Sequence, residues 1–236
     1  MTPDQIMAIN MALDWINANY EVVGIVVSGS IIRGNGNANS DLDIYVIHNS
    51  PFRQGVQKFF NGTPCEIFIN NIEHINSYFD EECRDNRPTT AHMLSTGVIY
   101  QGVETPEIIS LVEKANTYAT KPATVDDRKI MFARYDIALL FEDATDLYQT
   151  DSATALYFLN KAVDALISFA FPKYQMPMPR PKERLAFLKQ KDPVIGKLTE
   201  DYFLKTDVSE KHSIAGTLIT KLIGHTGFFE WETEQE

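Results

Sequence analysis

Between residues 22 and 48, two apolar, β-branched runs flank a segment that hydrophobic packing does not explain. Val22-Val23-Gly24-Ile25-Val26-Val27 reads as a buried strand. It runs into Ser28-Gly29-Ser30, and after ten intervening residues Asp41-Leu42-Asp43 opens a second strand, Leu42–His48. Alternate side chains of a strand share a face, so Asp41 and Asp43 project together while Leu42 and Ile44 turn to the core. Two like charges so close are costly unless something compensates them. A divalent metal with oxygen ligands is such a compensator.

The residues on either side fit the same chemistry. Gly29-Ser30 supplies a tight turn whose backbone N–H groups and hydroxyl suit phosphate oxygens. A helix beginning at Ile31 would add a favourable partial charge for an anion. Arg33, one turn on, is of the type that holds a phosphate bidentately. Glu66 opens the apolar run Cys65-Glu66-Ile67-Phe68-Ile69 on the face of Phe68, and a carboxylate there calls for a partner such as a metal.

Charge narrows the partners. The chain has 236 residues with a net charge of −11. Residues 1–120 hold 6 basic and 14 acidic residues, residues 121–236 hold 15 and 18, so most of the excess lies in the first half. Gripping duplex nucleic acid requires a basic face, which makes that role unlike this chain; metal ions or a cationic small molecule fit better. Cys65 and Cys83 are the only cysteines and show no metal spacing. The N-terminus lacks the basic, then apolar, pattern of a signal peptide, and no run approaches the roughly 20 apolar residues of a membrane span. A cytoplasmic protein is the resulting expectation.

Along the chain, Ile6, Ile9, Leu13 and Ile16 predict an amphipathic helix over 3–19, capped by Thr2 or Asp4. After the two strands, Asn61-Gly62-Thr63-Pro64 predicts a turn into a third strand, Cys65–Asn70. Helices are expected over 72–86, 89–96 and 105–118, with a short strand at Val98–Gln101. The stretch Ala119–Val125 reads as a linker. Beyond it come long helices, 126–149 and 152–171, a proline-rich loop over 172–181, and helices near 182–190, 194–204 and 209–229. An α+β domain over 1–120 followed by an all-α helical bundle over 121–236 is the simplest account. The five histidines show no ligand spacing, helix-spaced aromatics such as Tyr148 and Tyr157 read as packing, and residues 230–236 read as a solvated tail.

Gly29-Ser30, a spacer of about ten residues and Asp41-x-Asp43 resemble the DNA polymerase β-like nucleotidyltransferase superfamily. The form from Ser30-x-x-Arg33-Gly34 to Ser40-Asp41-Leu42-Asp43 is most similar to the bacterial minimal and aminoglycoside-type members. The resemblance covers residues 24–70 and extends more weakly to Met93–Tyr100. It implies a mixed sheet with flanking helices, and transfer of a nucleoside monophosphate from an NTP to an acceptor hydroxyl with release of pyrophosphate. Asp41, Asp43 and Glu66 would be the catalytic carboxylates holding two Mg²⁺ ions, while Gly29, Ser30 and Arg33 would bind phosphate. A small-molecule acceptor, aminoglycoside-like in view of the acidic first half, is the leading expectation. A partner protein, an RNA end, or nucleotide binding without catalysis are the alternatives. Related two-domain enzymes can form the active cleft between subunits, which admits a homodimer. Glu142, Asp143 and Asp146 on one long helix are further candidates for a general base, and Arg180 or Lys182 for contact with triphosphate or acceptor.

Overall fold

The computed structural model describes residues 1–37, 39–124 and 126–233. Ala38 in the loop before the paired aspartates, Val125 in the expected linker, and residues 234–236 of the expected tail lie outside the described residues. The chain divides into two compact units, Met1–Lys121 and Pro122–Glu236.

The first unit is a five-stranded mixed sheet with helices on both faces. Its elements are α1 (Pro3–Asn19), β1 (Val22–Ser28), β2 (Leu42–His48), β3 (Gln54–Phe60), β4 (Thr63–Asn71), α2 (Ile72–Arg84), α3 (Thr89–Thr96), β5 (Val98–Gln101) and α4 (Pro106–Ala119). The strand order is β3-β4-β2-β1-β5, with β2 and β4 parallel and the other neighbours antiparallel. Thr2 caps α1 through a reciprocal pair, its Oγ1 accepting from the Gln5 N–H and its own N–H donating to Gln5 Oε1. Ala8, Ile9, Ala12 and Ile16 of α1 bury against Ile25, Val27, Leu42, Ile44, Ile67 and Ile69. On the other face Val26, Tyr45 and Ile47 pack with Ile75 and Phe79 of α2, Leu94 of α3 and Ile108 of α4. Each fully buried Ile or Leu contributes about 1.5–3 kcal/mol, so both layers are held by many such side chains.

The second unit is helical: α5 (Asp127–Leu147), α6 (Ser152–Lys173), α7 (Pro181–Lys191), α8 (Pro193–Leu204) and α9 (Val208–Ile223). Helix α6 supplies its centre, with Leu159, Val163, Leu166 and Phe169 packed among Ile137 and Phe141 of α5 and Leu218 and Leu222 of α9. By length and composition α6 is the one described helix apolar enough to cross a membrane, but half of that apolar window is buried inside its own unit.

The structure decides two points that the sequence left open and changes two expectations. No helix begins at Ile31, because residues 30–34 form successive turns. An unforeseen strand, β3, pairs with β4. Helix α6 continues through Pro172 to Lys173, with the proline accommodated in its last turns. Helix α9 stops at Ile223, where Gly224 takes a left-handed conformation with φ of 85° and its N–H caps Thr220 O.

Candidate active site

The strand register assembles the site. Because β1 and β2 are antiparallel, the end of β1 meets the start of β2, pairing Ser28 with Asp43. The parallel β2–β4 pair sets Asp43 opposite Glu66, and β3 sets Gln57 opposite Glu66. Ser28, Asp43, Glu66 and Gln57 thus form one row across four adjacent strands, on one face of the sheet. Asp41 joins from the loop mouth. One carboxylate oxygen from each of Asp41, Asp43 and Glu66 lies within 4.8 Å of the others; Asp41 is exposed and the other two are half-buried.

The turn after β1 is pressed onto this row. Gly29 has φ of +96°, and a Cβ there would lie 2.7 Å from Asp43 Oδ2. A side chain would therefore meet both backbone strain and the carboxylate. Further along, a Cβ on Gly36 would come within 2.9 Å of Ile31 Cα, so the loop folds back upon the turn. The turn is closed by the Arg33 N–H donating to Gly29 O (3.2 Å) and the Asn35 N–H donating to Ser30 O (3.0 Å). What it offers an anion is backbone N–H groups and the Ser30 hydroxyl, not a helix terminus. Ser30 itself is buried. The Arg33 side chain is half-buried and reaches α3, where Nη1 donates to Thr96 Oγ1 at 3.5 Å.

Two further groups in the row escaped the sequence reading. Gln57 Nε2 donates to Glu66 Oε1 at 3.3 Å, orienting that carboxylate. Ser28 is 1% exposed, and its Oγ meets no hydrogen-bond partner among the described residues. Ser28 had a visible signal, a hydroxyl ending an apolar strand just before Gly29. Gln57 had none, since β3 itself reads as polar. The remaining candidates fall in the second unit, where Glu142 and Asp143 are half-buried and Asp146 exposed on α5. Arg180 is paired there with Glu183, while Lys182 is exposed.

A crowded trio of carboxylates, two of them half-buried, suits hard divalent cations, which take oxygen ligands. The donor set fits such an ion: three carboxylates converge from one strand mouth and one neighbouring strand, with an amide holding the third in place. Both cysteines are free thiols, and burial pushes the Cys65 thiol up to about 11, which makes it an inert neighbour.

Residues 9–87 match the family model described as a nucleotidyltransferase domain. No curated protein matches the sequence. Among solved structures, a nucleotidyltransferase-like protein from Exiguobacterium sibiricum 255-15 is similar over 94% of this chain and 75% of its own, with a TM-score of 0.51 and 14% identity, a likeness of fold. The matched run builds most of α1, strands β1–β4 and α2, so over this third of the chain the first unit is similar to a nucleotidyltransferase domain.

Proposed function

We propose that the chain transfers a nucleoside monophosphate from an NTP to a hydroxyl of a small-molecule acceptor, with Asp41, Asp43 and Glu66 as the catalytic carboxylates. The convergence of those three side chains beside the Gly29-Ser30 turn carries this reading. In the reaction the acceptor oxygen forms a bond to the α-phosphorus, the bond from that phosphorus to the β-bridging oxygen breaks, and pyrophosphate leaves. Gly29, Ser30 and the turn's N–H groups position the triphosphate on the β1 side of the row. Glu66 lies on the far side of Asp43 from that turn, where it takes up the acceptor's proton. Asp41, Asp43 and Glu66 would hold two Mg²⁺ ions, which supply Lewis acidity and neutralise charge on the phosphates. Arg33, bonded to Thr96, braces the turn against α3 and lies one turn from Gly29 as a second phosphate contact.

The test is a screen of NTPs and acceptors read by pyrophosphate release in the presence of Mg²⁺. Wild type is expected to turn over and the Asp41→Asn/Asp43→Asn double variant is not. Full activity in the double variant would sink the assignment. Supplying labelled NTP with protein, RNA and small-molecule pools identifies the acceptor class; label accumulating in protein or RNA would overturn the small-molecule reading.

A further inference from the structure

The face of the sheet that carries Asp43 and Glu66 continues along the strands into a cavity of about 440 Å³, built wholly within the first unit. Its floor holds Tyr45 and Phe68, each two residues beyond Asp43 or Glu66 and so on the same face. Gly55 of β3 lies opposite Phe68, and Tyr78, Met93 and Arg53 complete the wall and mouth. Two residues of strand span about 6.6 Å, so the floor begins within one small molecule's length of the carboxylates. The volume falls within the roughly 300–1,000 Å³ of ligand sites. Strands β2, β3 and β4 line this space and β1 does not, which sets it on the Glu66 side, away from the phosphate turn.

The lining states what fits. The Tyr45 and Phe68 rings stack with centroids 5.8 Å apart at 20°; Tyr45 is 2% exposed, so the half-buried Phe68 ring supplies the aromatic surface open to a ligand. A polar chain runs along one edge. Arg53 Nη1 donates to Tyr78 Oη (3.0 Å), Tyr78 Oη donates to Asn70 Oδ1 (3.5 Å), and Asn70 Nδ2 donates to Tyr45 Oη (3.2 Å). The carboxylate lining the cavity, Glu82, has both oxygens engaged, accepting from the Thr90 N–H and the Thr90 hydroxyl at 2.7 Å each. An ammonium group entering here would have to share both of those oxygens with the Thr90 donors. An anionic group would find the exposed Arg53, whose guanidinium has five N–H donors, one of them directed to Tyr78.

We propose that this cavity seats the acceptor, a molecule with a planar aromatic body, a carboxylate or similar anion toward Arg53, and its reacting hydroxyl toward Glu66. The assignment rests on the nucleotidyl-transfer reading and narrows it. It also turns the acceptor away from the polycation that net charge alone favours, because the acidity of the first unit is not displayed on this lining.

Gly55 offers a clean test, since a Cβ there meets open space and the residue lies on an exposed edge strand. Ligand-observed NMR on the full chain would screen a panel balanced between aromatic hydroxycarboxylates, neutral aromatic alcohols and polyamino sugars. Calorimetry would in parallel measure NTP binding with Mg²⁺. Hits are expected among the aromatic hydroxycarboxylates, weakened about tenfold or more by Gly55→Phe and by Arg53→Ala, with NTP affinity retained in Gly55→Phe. Hits confined to polyamino sugars, hits that survive Gly55→Phe, or no hit while NTP binds would overturn this proposal alone. Absence of NTP binding in the wild type would overturn the nucleotidyl-transfer reading, and the acceptor role with it.

Discussion

The acids of the second unit and the carboxylate trio of the first sit in opposite settings. In the second, Asp126, Asp151, Asp192 and Asp207 each accept a backbone N–H at the start of a helix. Glu183, Glu200, Asp201 and Glu210 each face a basic side chain: Arg180, Lys189, Lys197 and Lys205 respectively. Those acids are accounted for by local structure, and the caps alone contribute about 1 kcal/mol each. In the first unit Asp41, Asp43 and Glu66 are crowded together, whatever else each one touches. At 4.8 Å, two unit charges repel by about 1–3 kcal/mol for an effective dielectric between water and a protein surface. An acid spent on a cap or an ion pair is part of the scaffold; three acids brought this close, one of them also oriented by an amide, mark a ligand site.

The largest effect that would break this contrast is in the carboxylate trio. Asp41→Asn/Asp43→Asn should lower Mg²⁺-dependent turnover on the order of 10³-fold or more. In chelator the same variant should melt higher than wild type, by about 2–4 °C for each kcal/mol of repulsion removed. Added Mg²⁺ should raise the melting temperature of wild type and leave the variant where it was. Thermal scans with and without chelator check both. A variant that melts lower in chelator would show the trio to be scaffold after all.

Next in size is Gly29→Ala. The left-handed backbone costs about 1–2 kcal/mol with a side chain, and the new methyl would displace Asp43 Oδ2. A displacement of about 1 Å at a reacting group lowers turnover on the order of 10²-fold. The expected signature is a fall in kcat exceeding what the loss of stability explains, with weakened Mg²⁺ binding by calorimetry.

What the sequence made legible follows the same division. Gly29-Ser30 and Asp41-x-Asp43 are local patterns, and Glu66 stands out because a charge interrupts an apolar strand; all three could be read without knowing any pairing. Strand β3 could not. Gln54, Gly55, Gln57, Lys58 and Phe59 are exposed on an edge, so the apolar alternation that betrays a strand is missing, and Lys58 is the kind of residue that protects such an edge. With β3 went Gln57 and one wall of the cavity. Arg53, Tyr78, Glu82 and Thr90 come together only through the parallel β2–β4 register and the docking of α2 and α3, long-range facts that no window of sequence contains. Whether a helix begins at Ile31 is open from sequence, and it does not for a local reason: Gly34 and Gly36 let the chain turn back on Ile31.

A smaller effect sharpens the comparison through pH. Asp192 accepts the Ile195 N–H at 3.0 Å and the Tyr174 hydroxyl at 2.8 Å, and the helix N–H above all holds its carboxyl below the usual value of 3.8. Its folded form therefore binds its proton more weakly than the unfolded chain does. The stability it contributes is present above about pH 3.8 and is lost as pH falls through the folded value. Asp192→Ala should cost about 1 kcal/mol at neutral pH, less in strong acid, and leave turnover intact. Denaturant titrations at pH 7 and pH 3 measure the difference.

Glu82 in the first unit has the opposite sign and the smallest expected effect. Burial raises its carboxyl above the ordinary 4.5, and the Thr90 bonds only partly offset that. As pH rises past 4.5 the unfolded chain gives up this proton before the folded one does, so stability falls with rising pH across the window between the two values. Glu82→Gln removes the ionisation while keeping an amide oxygen for one of the two Thr90 donors. The variant should lose roughly 1 kcal/mol at the lowest pH of the window, where wild type is protonated and unpenalised. That deficit should shrink as pH climbs, because wild type then bears a buried charge that the amide does not. Parallel denaturant midpoints across pH 4–7 test this. A deficit growing with pH would mean that the Thr90 bonds outweigh burial, making Glu82 a satisfied scaffold acid like those of the second unit, and the contrast between the units would then belong to the carboxylate trio alone.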